Sequence, residues 1–200
     1  MTNAILIATQ NPHKVQEYHD LLTDLKHIKW LSLADIGLGD MEVEETGTTF
    51  EQNARLKADA YYQASKMLTL ADDSGLVVDY LNGEPGVYSA RYGGLKTAEA
   101  RYELLLDNLK GVPSDRRTAR FVCTVAIAAP HQPIQIVRGS VEGWILTKPR
   151  GINGFGYDPV FLLPNGKSMA ELTTDEKNLM GHRGRALRAA LPILQELLGI

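Results

Sequence analysis

The sequence predicts an α/β fold, and three observations carry that reading. The chain opens with a short apolar run, Ala4 to Ala8, that gives way to a polar loop and then to helical spacing from Pro12. Strand-like and helix-like segments then alternate through most of the remaining chain. Two long runs, 118–129 and 134–145, flank the turn Pro130-His131-Gln132-Pro133 and read as antiparallel partners. With 200 residues, 44% hydrophobic and 22% charged, the chain is long enough for one globular domain over residues 1–200, with room for two lobes. No internal repeat, low-complexity tract or linker divides it.

The elements come in this order. Val15, Tyr18, Leu22 and Leu25 recur at helical spacing after Pro12. Trp30 to Leu33 reads as a second strand. Residues 34–47 are polar, acidic and glycine-bearing, hence a loop. Thr48-x-x-Glu51 has the form of a capping box, opening a helix from about Phe50 to Met67. Asn53 and Lys57 lie four apart on it and share a face. Leu68 to Ala71 is read as a buried strand ending at Asp72-Asp73, and Leu76 to Tyr80 as another. Asn82-Gly83 and Pro85-Gly86 mark turns. Lys96 to Lys110 forms a helix, capped by Thr97 and stopped by Gly111 and Pro113. A glycine-rich loop, 149–159, leads to a strand through Phe161-Leu162-Leu163. Thr173-x-x-Glu176 starts a short helix, Gly181 interrupts it, and a last helix runs toward Leu198, with a kink expected at Pro192.

Composition excludes several classes. A net charge of -3 and a pI near 6.0 argue against bulk electrostatic binding of nucleic acid, though not against a local basic pocket. Cys123 is the only cysteine, so neither an internal disulfide nor a CxxC metal site is available. It lies in an apolar alternating run and reads as a core residue in a reducing compartment. The N-terminus has no basic, apolar leader, and no stretch is apolar enough to span a membrane.

Chemistry-bearing residues gather in a few places. Glu42, Glu44 and Glu45 lie upstream of Asp72-Asp73; carboxylates suit a hard divalent metal, and ligands bind at the carboxyl ends of strands in α/β sheets. Adjacent carboxylates there are costly unless a cation or donor compensates them. Thr9, Asn11 and Lys14 come after the first strand. Taken alone they fit an ordinary capped helix better than a phosphate site, in which hydroxyl, amide and ammonium groups would hold the anion. Phe155-Gly156-Tyr157-Asp158-Pro159 either fills a core corner or offers a face for stacking a base. Lys177, His182 and Arg183 are surface or capping residues, or contacts for an anion or base. Arg91, in Ser89-Ala90-Arg91-Tyr92, serves a ligand or braces a carboxylate.

The ordered set of these motifs closely resembles the inosine triphosphate pyrophosphatase family, the non-canonical purine nucleoside triphosphate pyrophosphatases. The motifs are Thr9-x-Asn11-x-x-Lys14, Glu44-Glu45-Thr46-Gly47, Phe50-x-x-Asn53-Ala54, Lys57 and Ala71-Asp72-Asp73-Ser74-Gly75-Leu76. They continue with Pro85 to Tyr92, Arg117 to Phe121, Gly154 to Pro159, Ala170-Glu171-Leu172, Lys177 and His182-Arg183. The resemblance implies a two-lobed α/β domain around a long mixed sheet with flanking helices and a central active-site cleft. It implies a cytoplasmic homodimer that requires Mg2+, with no nucleic-acid or membrane partner. It implies hydrolysis of dITP, ITP, XTP and dXTP to the monophosphate and pyrophosphate.

By position, Thr9, Asn11 and Lys14 would hold phosphates, with Lys57 adding charge at the catalytic centre. Glu44 and Asp73 would serve the metal, and Asp73 would be the general base. Ser74, Phe155, Gly156, Tyr157, Asp158, Lys177, His182 and Arg183 would contact the nucleotide. The same resemblance favours Asp73 over Asp72 and Glu44 over Glu45. Relatives usually carry Ser-His-Arg where this chain has Gly181-His182-Arg183, which bears on base selectivity. Gln10 stands where relatives carry glycine or histidine, with no consequence read from sequence. Two other readings remain: a pyrophosphatase for modified pyrimidine nucleotides, and a nucleotide sensor without catalysis.

Overall fold

The computed structural model describes residues 4–22, 25 and 27–200; the N-terminal residues Met1 to Asn3, where a leader would begin, lie outside them. Six strands form one sheet in the order β2-β1-β3-β4-β5-β6. They are β1 (Ala4–Ile7), β2 (Lys29–Ser32), β3 (Leu68–Val78), β4 (Thr118–Ala128), β5 (Gln135–Ile145) and β6 (Phe161–Leu162). β1 runs parallel to β2 and β3, and β5 antiparallel to β6, so the sheet is mixed. The helices are α1 (Pro12–Leu21), α2 (Phe50–Ser65), α3 (Ala98–Asn108), α4 (Thr174–Met180) and α5 (His182–Leu198). The α/β reading therefore stands. Among the described residues no helix is long and apolar enough to cross a membrane.

By its contacts the chain divides into two compact units. The first comprises Met1–Asp73, Cys123–Gly139 and Arg183–Ile200. Its central strands β1, β3 and β4 are buried on both faces, and their pleat sorts side chains by parity. Ile5, Ile7 and Leu70 join Cys123, Val125 and Ile127 against Tyr18 of α1 and Ala186, Leu187, Ala190 and Leu194 of α5. Leu6, Ala8 and Ala71 join Ala126 and Ala128 against Ala54, Ala58 and Tyr61 of α2. The second unit comprises Ser74–Val122 and Ser140–His182. Its core packs Leu76, Val78, Leu105, Leu109, Phe121, Val141, Ile145 and Phe161. Buried Arg117 donates there to the carbonyls of Leu109, Ile145 and Leu146 at 2.8, 2.7 and 2.6 Å.

Two local readings need correction. The expected break after Ala71 is absent: Leu68 to Val78 is one strand, with Asp72 and Asp73 inside it rather than at its end. Compensating groups on both sides of the strand remove the cost that argued for a terminus. The N-cap of α2 is Thr49, not Thr48, and its box partner is Gln52, not Glu51. α2 ends at Ser65, with Lys66 in a left-handed conformation at φ 56. Asn11 caps α1, Thr97 caps α3, and the Thr173–Glu176 box opens α4, as read from sequence. α5 continues through Pro192 as a single helix.

Candidate active site

Adjacent residues on a strand point to opposite faces. Asp72 shares the parity of Leu70, and so faces α1 and α5. Asp73 shares the parity of Ala71, and so faces α2. The two carboxylates accordingly have different partners, all within the first unit.

On its side Asp72 is fully enclosed. Lys14 Nζ lies 2.9 Å and Arg183 Nη2 3.3 Å from its Oδ2, and the Cys123 thiol lies 3.7 Å from the same oxygen. Arg183 also pairs with Glu17. Burial pushes the Asp72 carboxyl up, but Lys14, Arg183 and Lys57 outweigh it and hold the group well below the usual carboxylate range. Burial, then Asp72, pushes the Cys123 thiol up, which leaves it an inert core residue. Arg183, expected at the nucleotide, is 3% exposed and is committed to these two carboxylates.

On the other side Asp73 receives Asn53 Nδ2 at 3.0 Å on Oδ2, and its Oδ1 lies 3.9 Å from Lys57 Nζ. Lys57 also pairs with Glu45. Burial raises the Asp73 carboxyl above its ordinary value; Lys57 lowers it and Glu45 raises it, and the upward shift prevails. For Lys57, burial works against the charge, but Asp73, Asp72 and Glu45 overcome it and keep the ammonium protonated beyond its usual range. Glu44 is exposed on the same acidic loop.

No three acidic, histidine or cysteine side chains converge among the described residues, so no closed protein cage for a metal is present there. Asp73 and the acidic-loop carboxylates Glu44 and Glu45 offer one or two hard oxygens on this side of the strand. That donor set fits Mg2+, which takes one or two carboxylates and completes its shell with water and substrate phosphate.

The loop between β1 and α1 is organised locally. Thr9 Oγ1 accepts from the Asn11 amide at 3.2 Å, and Asn11 Oδ1 accepts from the His13 amide at 3.0 Å. Sequence reasoning missed Gln10. Its Nε2 donates to the carbonyls of Gly39 and Met41, at 3.1 Å each, tying this loop to the segment that leads into the acidic residues. A lone glutamine in a loop carries no signal of such a bond. Asn53 was visible as a neighbour of Lys57 on a helix face and as part of the motif Phe50-x-x-Asn53-Ala54, with no role assigned to it.

The second unit holds the remaining expected residues. Asp158 is buried, accepting from the Phe155 amide at 2.9 Å and from Lys177 Nζ at 2.8 Å. Lys177 Nζ sits 4.4 Å from the centroid of the Phe155 ring, a cation over an aromatic face. Tyr157 is instead a packing residue, 4% exposed, with its hydroxyl donating to the Ser89 carbonyl at 2.9 Å. Ser89 Oγ in turn accepts from the Leu76 amide and donates to the Gly86 carbonyl. His182 is buried and stacks on Phe121 at 4.9 Å. Ser74 and Gly156 are partly exposed.

The fold and these clusters define an α/β protein with several buried carboxylates, each compensated by a lysine. The chain belongs to the Ham1 family, which it matches over residues 5–193. It is 48% identical to the dITP/XTP pyrophosphatase of Bacillus subtilis strain 168, covering 95% of this chain and 96% of that one. It is 47% identical to the dITP/XTP pyrophosphatase of Geobacillus kaustophilus, covering 98% and 96%. The solved Ham1 protein of Staphylococcus aureus superposes with a TM-score of 0.87 at 39% identity, covering 96% of this chain and 98% of that one.

Proposed function

We propose that this protein hydrolyses non-canonical purine nucleoside triphosphates, dITP, ITP, XTP and dXTP, to the monophosphate and pyrophosphate. The observation that carries the reading is the Asp73–Lys57–Glu45 group, which pairs a buried carboxylate of raised proton affinity with a lysine whose charged form its neighbours favour. The full-length likeness to the dITP/XTP pyrophosphatases supports the substrate class.

Water attacks phosphorus, the bond to the bridging oxygen breaks, and pyrophosphate leaves. Asp73 accepts the proton of the attacking water, and burial, which raises its proton affinity, makes it a better base. Lys57 and Lys14 offset charge on the phosphate oxygens. Asn11 and Thr9 orient the chain by contacts from the turn that opens α1. Asp73 and Glu44 would hold Mg2+, whose charge would lower the repulsion between substrate and attacking oxygen. Lys177, held over Phe155 by Asp158, and the backbone amides of Gly156 and Tyr157 would meet the nucleoside. Donors there favour a 6-keto purine and are left unpaired against the adenine amino group. The resemblance further supports a homodimer acting in the cytoplasm.

Pyrophosphate release with Mg2+ across ITP, dITP, XTP, dGTP, dATP and modified pyrimidine triphosphates tests the reading. Fast turnover of the first three is expected, and Asp73→Asn should abolish it with the fold intact. Equal rates on all six, or near-normal turnover by Asp73→Asn, would sink the assignment. Binding without release would favour a sensor.

A further inference from the structure

We propose that Asn53 is a positioning residue for this hydrolysis, with one side-chain amide fixing both the Asp73 carboxylate and the loop that carries Glu44 and Glu45. The inference rests on Asp73 being the base.

Asn53 lies in the first turn of α2 and has no exposed surface. Its Nδ2 donates to Asp73 Oδ2 at 3.0 Å, and its Oδ1 accepts from the Gly47 amide at 2.8 Å. The orientation is forced by chemistry. A backbone N–H only donates and an ionised carboxylate only accepts, so the amide fits one way round. With Oδ2 tied to Asn53, Asp73 Oδ1 is the oxygen turned toward Lys57. The amide thus decides which carboxylate oxygen is presented where Lys57 and Glu45 meet.

The other half of the amide anchors the acidic loop. A Cβ on Gly47 would stand 2.6 Å from Asn53 Oδ1 and 2.6 Å from Gln52 Cβ, so the close approach needs glycine there. Gln52 reinforces the anchor by accepting from the amides of Thr48 and Thr49 at 2.7 and 3.2 Å. Glu45 is two residues, and Glu44 three, from the anchored amide. A buried amide that makes both bonds sets the spacing between the carboxylates on β3 and on the loop. A hydrophobic residue of the same size would pack as well but leave both partners unsatisfied.

Two kinds of measurement test this. Asn53→Ala should lower kcat about 100-fold, the scale expected for misplacing a reacting group by about 1 Å, with KM for ITP unchanged. Asn53→Asp keeps the acceptor for Gly47 but turns a second carboxylate on Asp73. It should recover neither melting temperature nor kcat relative to Asn53→Ala, because two buried carboxylates repel. A normal kcat in Asn53→Ala, a loss confined to KM, or recovery of rate along with stability in Asn53→Asp would overturn the proposal. The second measurement needs no turnover. By NMR, the Asn53 side-chain amide protons should exchange slowly in the wild-type chain and faster in Asp73→Ala, and the Gly47 amide should exchange faster in Asn53→Ala. Unchanged exchange overturns the geometry, whereas a wild-type chain that releases no pyrophosphate overturns only the proposed function.

Discussion

Replacing Asp72 with asparagine should destabilise the protein, because it removes one member of a buried ion group. The Asp72 side chain has no exposed surface, and its partners Lys14 and Arg183 are 13% and 3% exposed in their side chains. Removing one member of a buried ion group costs about 3–5 kcal/mol, because the remaining charges stay desolvated. Arg183 keeps Glu17, and Lys14 retains some access to water, so the lower end, about 3 kcal/mol, applies. For a chain of 200 residues that corresponds to a fall in Tm of about 7 °C. The pH dependence comes from the depressed carboxyl. Asp72 is ionised in the folded state where the unfolded chain already binds a proton, so its contribution is complete above a pH of about 4 and drains away below it. Thermal melts of wild type and Asp72→Asn from pH 7 to pH 3 should therefore converge toward the acid end. A gap under about 2 °C at pH 7, or one that widens on acidification, would refute the charge account.

Two further substitutions probe the second unit. Arg117→Met leaves the carbonyls of Leu109, Ile145 and Leu146 without their donor and should cost about 3 kcal/mol by denaturant titration; a loss below about 1 kcal/mol would mean that these carbonyls find other partners. Gly181→Ser places a Cβ 2.6 Å from the Lys177 carbonyl, so the last turn of α4 must move. KM for ITP should change and stability fall by about 1–3 kcal/mol, and a variant normal in both respects would show that the turn accommodates serine freely.

The element order was legible because periodicity and caps are local signals. Asn11, Thr97 and Thr173 announce their helices by residue type and spacing. The break assigned after Ala71 failed because two adjacent aspartates look like an end when their partners are out of sight in sequence. Lys14 and Arg183 are 58 and 111 positions from Asp72, and no local rule brings them there. The same distance hid Arg183's commitment to Asp72 and Glu17, so its place at the nucleotide rested on the motif alone. Tyr157 shows the converse: an aromatic in a glycine-rich loop carries no mark distinguishing a stacking ring from one whose hydroxyl is consumed by the Ser89 carbonyl. Gln10 and Asn53 act through amides, which have neither charge nor periodicity to betray them.

The division of labour between Asp72 and Asp73 has a physical basis independent of any motif. One strand carries both, and the pleat sends them to opposite sides. Toward α1 and α5, two cations close on Asp72, and its carboxyl is held below the normal range; a group so neutralised is a poor base and a poor ligand for another cation. Toward α2, Lys57 stands between Asp73 and Glu45, and the Asp73 carboxyl is raised. There Lys57 faces two carboxylates, Asp73 and Glu45, and its charge offsets the repulsion between them. Adjacent aspartates thus let one strand present a charge that holds the core together on one side and a carboxylate of raised proton affinity on the other.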